Sequence, residues 1–187
     1  MKGIKIILLA VLVFISAAAC SQSKTTKVMD DKKVLVVYFS ATGTTKNVAE
    51  KLANITNAHI CEIVPVQAYT SADLNWHNSQ SRSSVEMNNP DSRPEIKAIN
   101  VNVQDYDLIF LGYPIWWDLA PRAVNSFIEN NDLTGKTVIP FATSGGSSIS
   151  GSVSALKKSY PAINWRDGRL LNRADDKSIK SWIDKLK

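Results

Sequence analysis

The sequence predicts one α/β domain built on a doubly wound, five-stranded parallel sheet, in three layers with helices on both faces. Three observations predict it. Beyond residue 33, short apolar runs alternate with segments of helical period, the signature of βα units. The first run, Val34 to Phe39, is almost unbroken in β-branched and aromatic residues, which suits a strand covered on both faces. The first, third and fourth runs end in turns that an open α/β sheet would use for binding, since ligands sit beyond the carboxyl ends of its strands.

Length and composition agree with one core. Without a leader, about 155 to 168 residues remain, a single domain's worth. Apolar residues are 44% and charged residues 21%, which excludes a disordered chain or a multi-span membrane protein. The net charge of +5 falls to +3 once Lys2 and Lys5 are set aside. The remaining basic residues are scattered, so no clustered face for nucleic acid is expected.

Residues 1–19 read as a signal peptide: Lys2 and Lys5 precede an apolar run from Ile6 to Ala19, too short to be a spanning helix. Ala17, Ala18 and Ala19 before Cys20 resemble a bacterial lipobox, in which the cysteine thiol is acylated. The Leu usual three residues before that cysteine is Ala17 here, and Ala17 and Ala19 also satisfy an ordinary A-x-A cleavage pattern. Both readings cut before Cys20. Residues 20–33 are polar and aperiodic and read as a flexible tether, which places the domain, residues 34–187, at a membrane surface in the cell envelope. With Cys20 acylated, Cys61 stands alone, so no intramolecular disulfide is expected and Cys61 reads as a small buried hydrophobe.

Past the first strand, Val48, Leu52 and Ile55 recur at helical spacing, and His59 to Val64 reads as the second strand. Gln67 to Gln104 is long, rich in Ser and Asn and weakly periodic, with some helix expected between Asp73 and Met87. A connection of that length in a compact domain is usually functional. Asp107 to Leu111, followed by Gly112, is the third strand, and Pro121 opens a helix with the stripe Val124, Phe127 and Ile128. Thr137 to Ala142 is the fourth strand. Ile149, Val153, Leu156 and Tyr160 mark a helix stopped by Pro161, a weaker fifth strand lies within Ile163 to Leu171, and Ile179, Trp182, Ile183 and Leu186 mark the last helix.

The turn after the first strand, Ser40-Ala41-Thr42-Gly43-Thr44-Thr45, runs into a helix whose free N–H groups and dipole suit a phosphate. It holds no Lys or Arg, so the donors would be neutral. The third strand leads into Tyr113-Pro114-Ile115-Trp116-Trp117, whose aromatic faces suit a flat ring. The fourth leads into Thr143-Ser144-Gly145-Gly146, a second Gly-rich turn with donors for a ring's polar edge. Walker-type and G-x-G-x-x-G loops are absent from these turns. No His/Cys cluster suggests a metal, and no G-x-S-x-G or other nucleophile pattern suggests hydrolysis.

Ser40-x-Thr42-Gly43-x-Thr45 after a first strand resembles the FMN-phosphate loop of flavodoxins, and the order of elements from Val34 to Leu186 resembles the whole flavodoxin fold. Gly-Tyr-Pro-Ile-Trp-Trp at residues 112–117 resembles the same loop in a bacterial flavodoxin subgroup. The resemblance implies strand order 2-1-3-4-5, one noncovalent FMN held by the three turns, and no catalytic side chain beyond the flavin. It also implies that Tyr69 and Ser81-Arg82-Ser83-Ser84 cover the outer flavin face. The expected function is electron transfer by a tethered monomer to an unidentified redox protein or small acceptor. The alternatives are an NAD(P)H-dependent FMN quinone reductase and a tethered module without flavin. Typical flavodoxins are strongly acidic, and this slightly basic chain departs from them.

Cys20→Ser is expected to abolish fatty-acid labelling of the protein. Mass spectrometry of the mature N-terminus checks it, and an unmodified Cys20 there would select ordinary cleavage.

Overall fold

The computed structural model describes residues 32–186; the expected leader, Cys20 and nearly all of the tether lie outside them. The chain enters through β1 (Val34–Tyr38), whose side chains divide by the two-residue period of a strand. Leu35, Val37 and the following Phe39 join one buried cluster, while Val34, Val36 and Tyr38 join the other. The entry point is fixed by the Lys33 backbone N–H donating to Asp107 Oδ2 at 2.9 Å. α1 (Thr44–Thr56) then covers one face with Val48, Ala49, Leu52 and Ala53. β2 (His59–Glu62) pairs beside β1 and buries Cys61, as expected.

Downstream come α2 (Arg82–Asn88), β3 (Leu108–Pro114), α3 (Arg122–Asn130), β4 (Thr137–Thr143) and α4 (Ser150–Ser159). The chain closes with β5 (Asn164–Trp165), β6 (Arg169–Leu170) and α5 (Asp176–Ile183). All strand pairings are parallel and the order is β2-β1-β3-β4-β5, with β6 also on β4. α1 and α5 bury the first face, where the Trp182 ring meets Phe110 edge-on at 5.6 Å. α3 and α4 bury the second through Val124, Phe127, Ile128 and Leu156. Among the described residues no helix is long and apolar enough to cross a membrane.

The fifth strand is divided where the sequence suggested one weak strand. β5 ends opposite Val138 and β6 resumes opposite Phe141, so the gap lies against Pro140. Val138 and Ala142 turn their carbonyls to this edge, accepting from Arg166 and Leu171, so Pro140 between them faces it too. Proline has no N–H to give, and the ladder breaks there.

The long connection folds back on itself. Val66 donates to the Glu95 carbonyl at 2.9 Å and Lys97 to Val64 at 2.8 Å, closing a neck at the Pro65 and Ile96 bridge. The expected helix shrinks to α2, beginning nine residues after Asp73. Upstream of it, Asp73 accepts from the Thr70 backbone, Asn75 from His77 and Asn78 from Gln80. These short side chains satisfy the backbone locally and favour turns over helix. Arg122, buried at the start of α3, donates to the Glu86 and Met87 carbonyls and so caps the end of α2.

Gly112 is fixed by its neighbour. A Cβ there would lie 2.1 Å from Phe141 Cζ, because the Phe141 ring of the paired strand lies across it. Gly112→Ala is expected to lower stability by about 1–3 kcal/mol, as overpacking of a closed core does. Urea unfolding checks it, with Phe141→Leu in the same chain recovering part of the loss.

Candidate functional site

The carboxyl ends of β1, β3 and β4 deliver their following turns to one edge of the sheet, around a cavity of about 680 Å³. Ser40, Ala41, Thr42 and Thr45 line it from the first turn, Pro114, Ile115, Trp116 and Trp117 from the second, and Ser144, Gly145, Gly146 and Ser147 from the third.

Gly43 stands at the N-cap of α1 with φ of 84°, a left-handed conformation that glycine takes without strain. No side chain caps this end, so its first N–H groups remain free for an external anion. The Thr42 and Thr44 hydroxyls lie 3.3 Å apart beside them. Thr45 is buried and its hydroxyl bonds that of Thr143 at 2.8 Å, tying the β1 turn to the end of β4. The pair spends one of its two hydroxyl protons on this bond, leaving one to donate elsewhere.

The second turn is a small hairpin. Trp116 and Leu119 exchange backbone hydrogen bonds of 3.0 and 2.9 Å, and Trp117 and Asp118 between them have φ of 47° and 61°. Left-handed backbone at two non-glycine residues costs about 1–3 kcal/mol each and occurs where the surroundings fix it. The strain turns adjacent indoles to different environments. Trp116 packs edge-on against Phe39 at 5.6 Å and Tyr69 at 5.4 Å, while Trp117 at the tip is 44% exposed.

Tyr69 is held in turn. Its phenol donates to Glu86 Oε2, and Arg82 places its guanidinium 4.1 Å from the Tyr69 ring centroid while pairing with Glu86 Oε1 at 2.6 Å. Burial, then the Glu86 hydrogen bond, pushes the Tyr69 phenol well above its ordinary range, so it stays a donor. Tyr69 and Arg82 thus back the indole of Trp116 and do not line the cavity.

Tyr113 departs from expectation. It is wholly buried, its hydroxyl 3.1 Å from Ser152 Oγ under α4, and burial pushes its phenol up to about 12. The alternation along β3 directs it into the core, one residue before the chain leaves the sheet. The third turn is shaped by Ser144 Oγ, which accepts from the Gly146 and Ser147 N–H groups. Asn172 then clamps Ser144 through both backbone groups at 2.8 and 2.7 Å. A second depression of about 660 Å³ adjoins the cavity, lined by Thr42, Thr44, Thr143 and Arg173 among others.

Ser83, of the segment expected to cover the flavin, also lines the main cavity, as do Leu74 and Trp76, which sequence reasoning did not single out. The signal for Trp76 was an isolated indole within a polar stretch; it is 66% exposed and stacks on His77 at 3.5 Å. Ser40 Oγ and Ser83 Oγ are shielded from solvent with no hydrogen-bond partner, and both residues line the cavity. A buried hydroxyl without a partner is rare.

A family model described as Flavodoxin matches residues 33–186. The chain belongs to the flavodoxin family. A crystal structure described as a flavoprotein from Bacteroides eggerthii is 59% identical, covering 83% of this chain and 98% of that one, with a TM-score of 0.81. One from Bacteroides uniformis is 53% identical over 81% and 97%, with a TM-score of 0.79. A flavoprotein from Lactobacillus acidophilus, crystallised in complex with FMN, is 25% identical over 81% and 98%, with a TM-score of 0.64. No curated protein matches.

In this flavodoxin-family site, Thr45→Val is expected to lower stability by about 1–3 kcal/mol, because it strands the Thr143 hydroxyl in the interior. Thr42→Val, at an exposed position, should leave stability unchanged. Thermal unfolding of the ligand-free protein separates them, and equal behaviour would mean the Thr45–Thr143 bond holds nothing.

Proposed function

We propose that the protein binds one FMN in the cavity and serves as an electron carrier, anchored by Cys20 outside the cytoplasm. The observation that carries the FMN reading is the convergence of an uncapped α1 N-terminus, exposed indoles and two unpartnered hydroxyls on one cavity. Family membership and the FMN complex of the Lactobacillus relative support it. The residues fit the cofactor part by part. The free N–H groups of α1 with the Thr42 and Thr44 hydroxyls would hold the phosphate. Trp76, Trp116 and Trp117 offer faces for the ring, and the turn from Ser144 to Ser147 offers backbone groups for its polar edge.

A bound flavin supplies reversible one- or two-electron chemistry, and the protein orients it and sets its surroundings. No side chain is assigned to break or form a bond. The indoles and the wall from Leu74 to Ser83 restrict approach to the ring faces, which hinders a hydride donor, since that donor must stack closely. Electron transfer through an exposed ring edge has no such need. Attachment is compatible with the fold: β1 begins at the edge opposite the cavity, so the chain entering at Lys33 stays clear of the cavity. An unidentified redox protein or small acceptor is the expected partner.

The full-length protein, solubilised in detergent, is expected to copurify with FMN and to be reduced rapidly by a one-electron donor but slowly by NADPH. Stopped-flow absorbance checks it. Fast bleaching by NADPH followed by turnover with a quinone would replace the carrier with a reductase, and a preparation that binds no flavin would remove both.

A further inference from the structure

Among the described residues that line the main cavity and the depression beside it, Arg173 alone carries a charge. The two hollows share Thr42, Pro114, Ile115, Trp116, Ser144 and Gly145, so they form one continuous opening. To this shared wall the depression adds Thr44, Thr143, Asn172 and Arg173. The cation therefore borders the same hollow as the paired Thr42 and Thr44 hydroxyls. Arg82, Arg93 and Arg122 are each committed to acceptors within the protein. The Arg173 side chain is exposed and makes no hydrogen bond or ion pair with any described residue.

The backbone of this residue is held from both sides. Leu171, buried, donates its N–H to the Ala142 carbonyl at 2.8 Å and carries the chain to the end of β4. Asn172 then clamps Ser144 of the third turn. On the far side, Ala174 donates to the Leu171 carbonyl at 3.4 Å, and its own carbonyl accepts from Lys51 Nζ of α1 at 3.2 Å. Between these fixings Arg173 takes a left-handed backbone, with φ of 49°. Such a turn favours glycine or asparagine, so its geometry does not call for arginine. What the side chain adds is a positive charge on a wall that otherwise offers neutral donors.

We infer that Arg173 is a specificity-determining residue of the site, its guanidinium pairing with the phosphate of the bound nucleotide and so favouring FMN over riboflavin. This rests on the FMN reading above and extends it to a residue outside the three sheet-end turns and the long connection. The planar guanidinium presents two parallel N–H groups to phosphate oxygens, which a lysine ammonium does not. At an exposed position the pairing is modest in size and weakens with salt.

The test is Arg173→Gln in the full-length protein, titrated with FMN and with riboflavin by flavin fluorescence at low and high ionic strength. At low ionic strength FMN affinity should fall by about twofold to fivefold, as loss of an exposed ion pair does, while riboflavin affinity stays unchanged. At high ionic strength the difference between variant and parent should shrink. Arg173→Lys should recover part of the loss, and Lys177→Gln, an exposed cation on α5 that does not line the depression, should recover the parent's behaviour in full. Thermal unfolding without ligand should not distinguish Arg173→Gln from the parent. Unchanged FMN affinity at low ionic strength overturns the inference and leaves FMN binding intact. Equal losses for both flavins, or an equal loss of FMN affinity in Lys177→Gln, overturn it as well. If the parent binds neither flavin, the inference falls together with the reading it rests on.

Discussion

Parallel pairing of β1, β3 and β4 governs the site. Strands that run the same way end on the same side, and each must return by a crossover, so their turns gather at one edge. The register places Tyr38 beside Gly112 and Gly112 beside Phe141, which brings the three strand ends level. Two backbone bonds continue the alignment past the strands: Phe39 donates to the Gly112 carbonyl and Ile115 to Thr143. The Thr45–Thr143 hydroxyl bond joins the first turn to the third. Three turns far apart in sequence therefore act as one surface, and Gly112 is the position that lets the aromatic core reach up to it.

The aromatic side of the cavity depends on a second layer of support. A strained hairpin cannot hold Trp117 and Asp118 in left-handed backbone unless something fixes its ends. Trp116 provides one anchor by filling the corner between Phe39 and Tyr69. Tyr69 is fixed by Glu86 and Arg82, and the end of α2 is fixed by Arg122 on α3. The long connection is thus built into the site from behind, and its polar residues serve two ends. Asp73, Asn75 and Asn78 shape the turns that carry Trp76 to the rim, while α2 braces the indole opposite.

Much of this was legible because it repeats with a short period. The unbroken apolar run of β1 and the helical stripes of α1, α3, α4 and α5 are local signals, and the family resemblance added the strand order, which the sheet bears out. The three turns were legible because their place after a strand tells where they must lie. Tyr113 was misplaced because it belongs to the strand and not the turn: β3 runs on to Pro114, so its alternation still applies. The split of β5 and β6 was hidden because the missing donor sits on Pro140 of the adjacent strand. Trp76 could not be found by pattern, since side chain–backbone bonds and not apolar periodicity set the conformation of its segment.

Neutral donors alone are a modest way to hold a dianion, and the fold adds to them without altering the loop. The α1 dipole contributes at the N-terminus, and Arg173 lines the depression that adjoins it beside Thr42 and Thr44. Arg173 comes from the far end of the sequence, reaching the first turn because β6 pairs with β4 and α5 packs beside α1. Asn172 fixes that approach by clamping Ser144. The cation thus stands at the rim, where solvent screens it, while the cavity is lined by hydroxyls, N–H groups, aromatic faces and the apolar Ala41, Leu74, Pro114 and Ile115. That division suits a ligand with one charged end and a flat, mostly uncharged body.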